Sequence, residues 1–95
     1  MKRLVVDIDG TLIKSEYVDG EYINPSPIIE EITKLNDLYR QGWIIILWSG
    51  RSWIHYEMTV SQLKNFGIKY HTLLLGKPIG IYIDADAKTT LKDIE

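Results

Sequence analysis

The chain predicts an α/β fold built on a mainly parallel sheet with a small β-hairpin beside it. Three observations carry this reading. Apolar-rich runs at Leu4–Ile8, Trp43–Trp48, Tyr70–Leu75 and Gly80–Ile83 have the largely hydrophobic character of strands covered on both faces. Two stretches of helical periodicity lie between the first three of these runs. Asp19-Gly20, flanked by Ser15–Val18 and Glu21–Ile23, marks a two-residue hairpin, because a type I′ turn needs positive φ at both central positions.

Taken in order, Leu4–Ile8 is the first core strand and the hairpin forms a flap over its end. Asn24-Pro25-Ser26-Pro27 breaks the chain, with Ser26 read as a helix N-cap and Pro27 as the first helical residue. That helix runs to about Gln41. Ile28, Ile32, Leu35 and Tyr39, with Ile29 and Leu38 beside them, form its buried stripe, and Gly42 ends it. After Trp43–Trp48, Ser52 is placed to cap a second helix that ends near Phe66-Gly67, with Trp53, Tyr56, Val60 and Leu63 as its apolar positions. The segment between Leu75 and Gly80 is too short for a crossover helix, so the third and fourth strands are not read as an ordinary parallel crossover pair. Lys88–Glu95 is read as a short terminal helix.

Composition bounds the function. Ninety-five residues make one domain, 1–95, with no room for a second independent core. A net charge of -2 and the absence of a basic run argue against nucleic acid as a partner by bulk electrostatics. With no cysteine, disulfides and thiolate chemistry are excluded, and a metal site has to be rich in oxygen. No apolar stretch reaches the length of a bilayer span and Met1-Lys2-Arg3 leads straight into a strand, so a cytoplasmic protein without a membrane partner is expected.

Chemistry collects at the strand ends. Asp7 and Asp9 are two residues apart, so a strand's period of two directs both carboxylates to one side, and a cation or phosphoryl group would relieve their repulsion. Gly10 follows them, and a solvated acidic turn is the plainer reading of this segment alone. Ser49-Gly50-Arg51 closes the second strand with a hydroxyl and a cation, Gly76-Lys77-Pro78 follows the third, and Asp84-Ala85-Asp86 follows the fourth. His71, at a strand start, is the kind of histidine that is more often structural than catalytic. Trp48 and Trp53 are read as core or interface residues.

With its Asp-x-Asp-x-Thr sequence at Asp7, Asp9 and Thr11, followed in order by Ser49, Lys77 and Asp84, the chain resembles the haloacid dehalogenase-like phosphohydrolase superfamily. The resemblance covers about Lys2 to Lys88 and is nearest to small capless members associated with capsular or sugar-phosphate pathways. It implies a Rossmann-like three-layer sandwich, core strands in the order 3-2-1-4, and no cap domain. The implied activity is Mg²⁺-dependent hydrolysis of a phosphomonoester through an aspartyl-phosphate, on a phosphorylated sugar or related metabolite.

In that scheme Asp7 is the nucleophile and Asp9 the general acid and base. Ser49 and the free amides of the loop after Asp7 donate to phosphoryl oxygens, while Lys77 supplies a point charge. Gly10, Thr11, Gly50 and Arg51 are assigned to substrate binding, with Thr11 bracing the loop and Arg51 holding further substrate charge. Mg²⁺ is assigned to the Asp7 carboxylate, the Asp9 carbonyl and Asp84. Asp86 stands one residue away from the adjacent aspartates of many relatives. A site without a cap suits a macromolecular phosphoester, or a small one enclosed by a second subunit of a homo-oligomer. A noncatalytic metal- or phosphate-binding scaffold is the main alternative. A phosphoryl-accepting receiver domain fits poorly, since its phosphorylated Asp lies on the third strand.

Overall fold

The computed structural model describes residues 2–80. The expected fourth strand, the terminal helix, Asp84 and Asp86 lie outside the described residues. The chain runs through β1 (Arg3–Val6), β2 (Ile13–Val18), β3 (Glu21–Pro27), α1 (Ile29–Arg40), β4 (Ile44–Trp48), a 3-10 turn (Trp53–His55), α2 (Tyr56–Asn65) and β5 (Thr72–Leu74). β1, β4 and β5 form a parallel sheet in the order β1-β4-β5, and β2 and β3 form an antiparallel hairpin. The architecture is thus a small α/β fold with two helices among the described residues.

Register explains the core. Leu4 lies opposite Ile45, Val6 opposite Leu47, and Leu47 opposite Leu73, which puts these side chains on one face of the sheet. Both crossovers step the same way across the sheet, and the right-handed rule for such connections puts α1 and α2 on one face, where the core cluster has them. Ile32 and Leu35 of α1 and Leu63 of α2 join Ile45, Leu47 and Leu73 in one buried cluster. On the opposite face Val5 is 57% exposed and Leu74 41%. The expectation of a first strand buried on both sides is therefore corrected: among the described residues its apolar run supplies one covered face and one open one.

The Asp19-Gly20 turn has the expected positive φ values, 50° and 79°, and pairs Val18 with Glu21 and Tyr17 with Tyr22. Gly42, at φ 97°, follows the end of α1 as expected. The start of that helix differs from expectation. Ser26 and Pro27 belong to β3, opposite Lys14 and Ile13, and Ile28 precedes the helix without a side-chain cap. A two-stranded ribbon leaves alternate amides unused, so prolines fit there. Glu30 and Glu31 complement the positive end of the helix in place of a cap. Ile29 points outward, 64% exposed.

Ser52 caps as expected, its Oγ accepting from the Ile54 amide at 3.4 Å, but it opens the 3-10 turn rather than α2 itself. Trp53 and Tyr56 are 53% and 44% exposed, and the buried positions of α2 are Thr59, Gln62 and Leu63. Two polar residues occupy the inner face because a buried cation needs them there.

No helix among the described residues is long and apolar enough to cross a membrane.

Candidate functional site

In a parallel sheet the carboxyl ends of the strands share one edge. Asp7 follows β1 there, Ser49-Gly50-Arg51 follows β4, and Gly76-Lys77 follows β5. Two backbone bonds turn the last segment back over β4: the Gly76 amide donates to the Arg51 carbonyl at 2.7 Å and the Lys77 amide to the Ser49 carbonyl at 2.9 Å. Gly76 is needed for this path. It holds φ at 73°, and a Cβ there would meet Trp53 Nε1 at 3.0 Å. The result is that Lys77 Nζ reaches to 3.7 Å from Asp7 Oδ1 and lies 5.7 Å from the centre of the Trp48 ring.

Asp7, Asp9, Tyr22, Gly50, Arg51 and Lys77, with Pro78-Ile79-Gly80, line an open cavity of about 450 Å³. The Asp7 side chain is 43% exposed, which leaves it accessible to an incoming group, although Oδ1 also accepts from the Ile8 amide at 2.9 Å.

Asp9 is held differently. Arg51 Nε donates to its Oδ2 at 2.9 Å and Nη2 to its Oδ1 at 2.7 Å, a two-point pair. Arg51 is fully buried. Its Nη1 donates to Thr59 Oγ1 at 3.1 Å and Gln62 Oε1 at 2.9 Å, and the Tyr22 ring centre lies 4.4 Å from the guanidinium carbon. An unpaired buried guanidinium would be costly, and these partners offset that cost. Arg51 lines the cavity, but its donors are directed at protein rather than at substrate charge. Beside it, burial first and the Asp9 charge second raise the Tyr22 phenol above its ordinary value near 10, so its hydroxyl stays neutral.

Ser49, Gly10 and Thr11 do not line the cavity. Ser49 is fully buried and its Oγ accepts from the Arg51 amide at 3.1 Å, bracing the loop. The amides after Asp9 turn inward: Gly10 donates to the Ile13 carbonyl, and Thr11, Leu12 and Ile13 all donate to the Ile8 carbonyl. A tight turn with Gly10 at φ 84° thus takes up the amides of Gly10 to Ile13, and that part of the loop offers none to a phosphate. Thr11 faces a groove shared with Leu4, Val6, Leu35 and Leu38. His71 lies at the amino end of β5, away from this edge. Its Nδ1 accepts from the Ile45 amide at 3.0 Å and its ring stacks on Tyr39 at 4.7 Å, a structural role.

Among the described residues no group of three or more histidine or acidic side chains converges to hold a metal. Asp7 offers a carboxylate and Asp9 a carbonyl, oxygen donors of the kind a hard cation takes. Asp84 lies outside the described residues. Tyr22, Thr59 and Gln62 were not among the residues the sequence singled out. Their one signal is negative: Thr59 and Gln62 put polar groups where the helical spacing of α2 calls for an apolar face.

The fold has solved counterparts. A crystal structure from Vibrio cholerae is 28% identical, with a TM-score of 0.65 over 98% of this chain and 93% of that one. A chain in the structure of a Pnkp1/Rnl/Hen1 complex is 26% identical, with a TM-score of 0.68 over 88% of this chain, and the match spans 31% of that chain. No family model and no curated protein matches the sequence.

Proposed function

We propose that this chain is a capless phosphohydrolase of the haloacid dehalogenase-like superfamily with a Rossmann-like fold. It hydrolyses phosphomonoesters through an aspartyl-phosphate, on a phosphorylated sugar or related metabolite in the cytoplasm. The observation that carries the reading is the placement of a half-exposed Asp7 carboxylate 3.7 Å from the Lys77 ammonium at the floor of an open cavity. A carboxylate nucleophile and a fixed cation at one point are what attack on a phosphate dianion requires.

Asp7 attacks phosphorus as the bond to the leaving oxygen breaks, and Lys77 offsets the charge on the transferring group. Asp9 releases one oxygen from Arg51, keeps the other paired, takes up a proton from solvent on the freed oxygen as the substrate binds, and passes that proton to the leaving alkoxide. It then takes a proton from the water that cleaves the aspartyl-phosphate, returning Asp7 and inorganic phosphate. Asp7, the Asp9 carbonyl and Asp84 would hold Mg²⁺, which supplies charge neutralisation at the phosphoryl oxygens.

Phosphate release from a broad panel of phosphomonoesters, with and without Mg²⁺, tests the reading. Release that requires Mg²⁺ is the expected result; no release from any ester contradicts it.

A further inference from the structure

Tyr22 stands on β3 opposite Tyr17, 4.7 Å from it ring to ring, and meets His55 edge-on at 5.6 Å. Its face lies over the Arg51 guanidinium, 4.4 Å from ring centre to the guanidinium carbon. The edges of that guanidinium are taken by Asp9, Thr59 and Gln62. Hydrogen bonds therefore fix the cation within its own plane, and the tyrosine ring covers a face. Tyr22 also borders a second cavity of about 310 Å³ with Glu21, His55 and Met58. Water gaining that face would compete for the donors that hold Asp9.

We infer that Tyr22 is a positioning residue: by covering the Arg51 guanidinium it excludes water from the Arg51–Asp9 pair and so ties the hairpin to the orientation of the Asp9 carboxylate. The ring face is the element that matters, because a cation is attracted to the π-system and more strongly when both are withdrawn from water. The phenolic oxygen is not part of this role. The catalytic consequence rests on the phosphohydrolase reading above, whereas the structural coupling stands apart from it.

The experiment compares Tyr22→Phe and Tyr22→Leu with the wild-type chain in two measurements. The first is hydrogen exchange at Arg51 Nε–H, followed by ¹⁵N NMR and assigned by its loss in Arg51→Lys. Exchange in Tyr22→Phe should stay within about threefold of wild type, and in Tyr22→Leu it should speed by about tenfold or more, the scale of a desolvated cation–π contact. Unchanged exchange in Tyr22→Leu overturns the proposal. Should that variant not fold, Tyr22→Met makes the same comparison with a flexible apolar side chain.

The second measurement is turnover. Tyr22→Leu should lower kcat on an alkyl phosphate about tenfold with KM nearly unchanged, and lower it far less on p-nitrophenyl phosphate, whose leaving group needs no proton. Equal losses on the two esters contradict a positioning role. A wild-type chain that releases no phosphate defeats the phosphohydrolase reading alone, and the exchange measurement then decides the Tyr22–Arg51–Asp9 coupling.

Discussion

Arg51 and Asp9, forty-two positions apart in the sequence, meet in a two-point pair at 2.7 and 2.9 Å, with the arginine fully buried and the aspartate side chain one-third exposed. The pair joins the loop after β4 to the turn after β1 and directs one of the two acidic side chains that line the cavity among the described residues. Asp7, the other, is left to the cavity and to Lys77.

Because the guanidinium fork matches a carboxylate and an ammonium does not, Arg51→Lys should be far from conservative. It leaves Thr59 and Gln62 without their donor in a buried place. A loss of about 2–4 kcal/mol in urea unfolding is expected. A loss below about 0.5 kcal/mol would show that the pair contributes little.

Gly76→Ala should act on both stability and turnover. The positive φ and the 3.0 Å approach to Trp53 both oppose a Cβ, and the displaced loop carries Lys77. A destabilisation of about 1–2 kcal/mol is expected, with a lower rate at saturating Mg²⁺. Full activity in the variant would separate the loop path from the position of Lys77.

Lys77→Met removes the cation nearest Asp7 and should slow phosphate release by about 10²–10³-fold, in the range seen when one charge-stabilising donor is lost. Lys77→Arg should recover part of that loss. Equal activity in Lys77→Met and wild type would place the stabilising charge elsewhere.

Tyrosine ionisation gives a test on pH. Burial is the first cause raising both Tyr22 and Tyr70, with the Asp9 charge second at Tyr22 and Tyr56 second at Tyr70. A phenol whose folded pKa is raised binds its proton more tightly in the folded state. Its contribution to stability is therefore full below pH 10 and falls as pH rises past that value. Ultraviolet titration should show a late fraction of tyrosine ionisation, and Tyr22→Phe should remove part of it. An unchanged late fraction in that variant would contradict the burial of Tyr22.

Local chemistry was legible in the sequence wherever one residue type had one use. Asp19-Gly20 announced its turn and Gly42 its helix end, and the apolar runs gave the three parallel strands now seen. The order of Asp7, Ser49 and Lys77 along the chain pointed to one sheet edge. Ser26-Pro27 misled because the same dipeptide suits both a helix start and the free positions of a ribbon strand. Trp53 misled because helical spacing counts apolar residues, and the inner face of α2 is set by a cation arriving from another element. Arg51 itself was read as a substrate contact, since nothing local reveals that its partner follows the neighbouring strand, forty-two positions back in the sequence.

Phosphate release by Asp7→Asn, measured beside the wild-type chain at saturating Mg²⁺ with matched circular dichroism, decides whether Asp7 is the nucleophile. Loss of a carboxylate nucleophile should lower kcat by about 10³-fold or more while the fold is kept. Undiminished release from a folded Asp7→Asn chain would contradict the aspartyl-phosphate route.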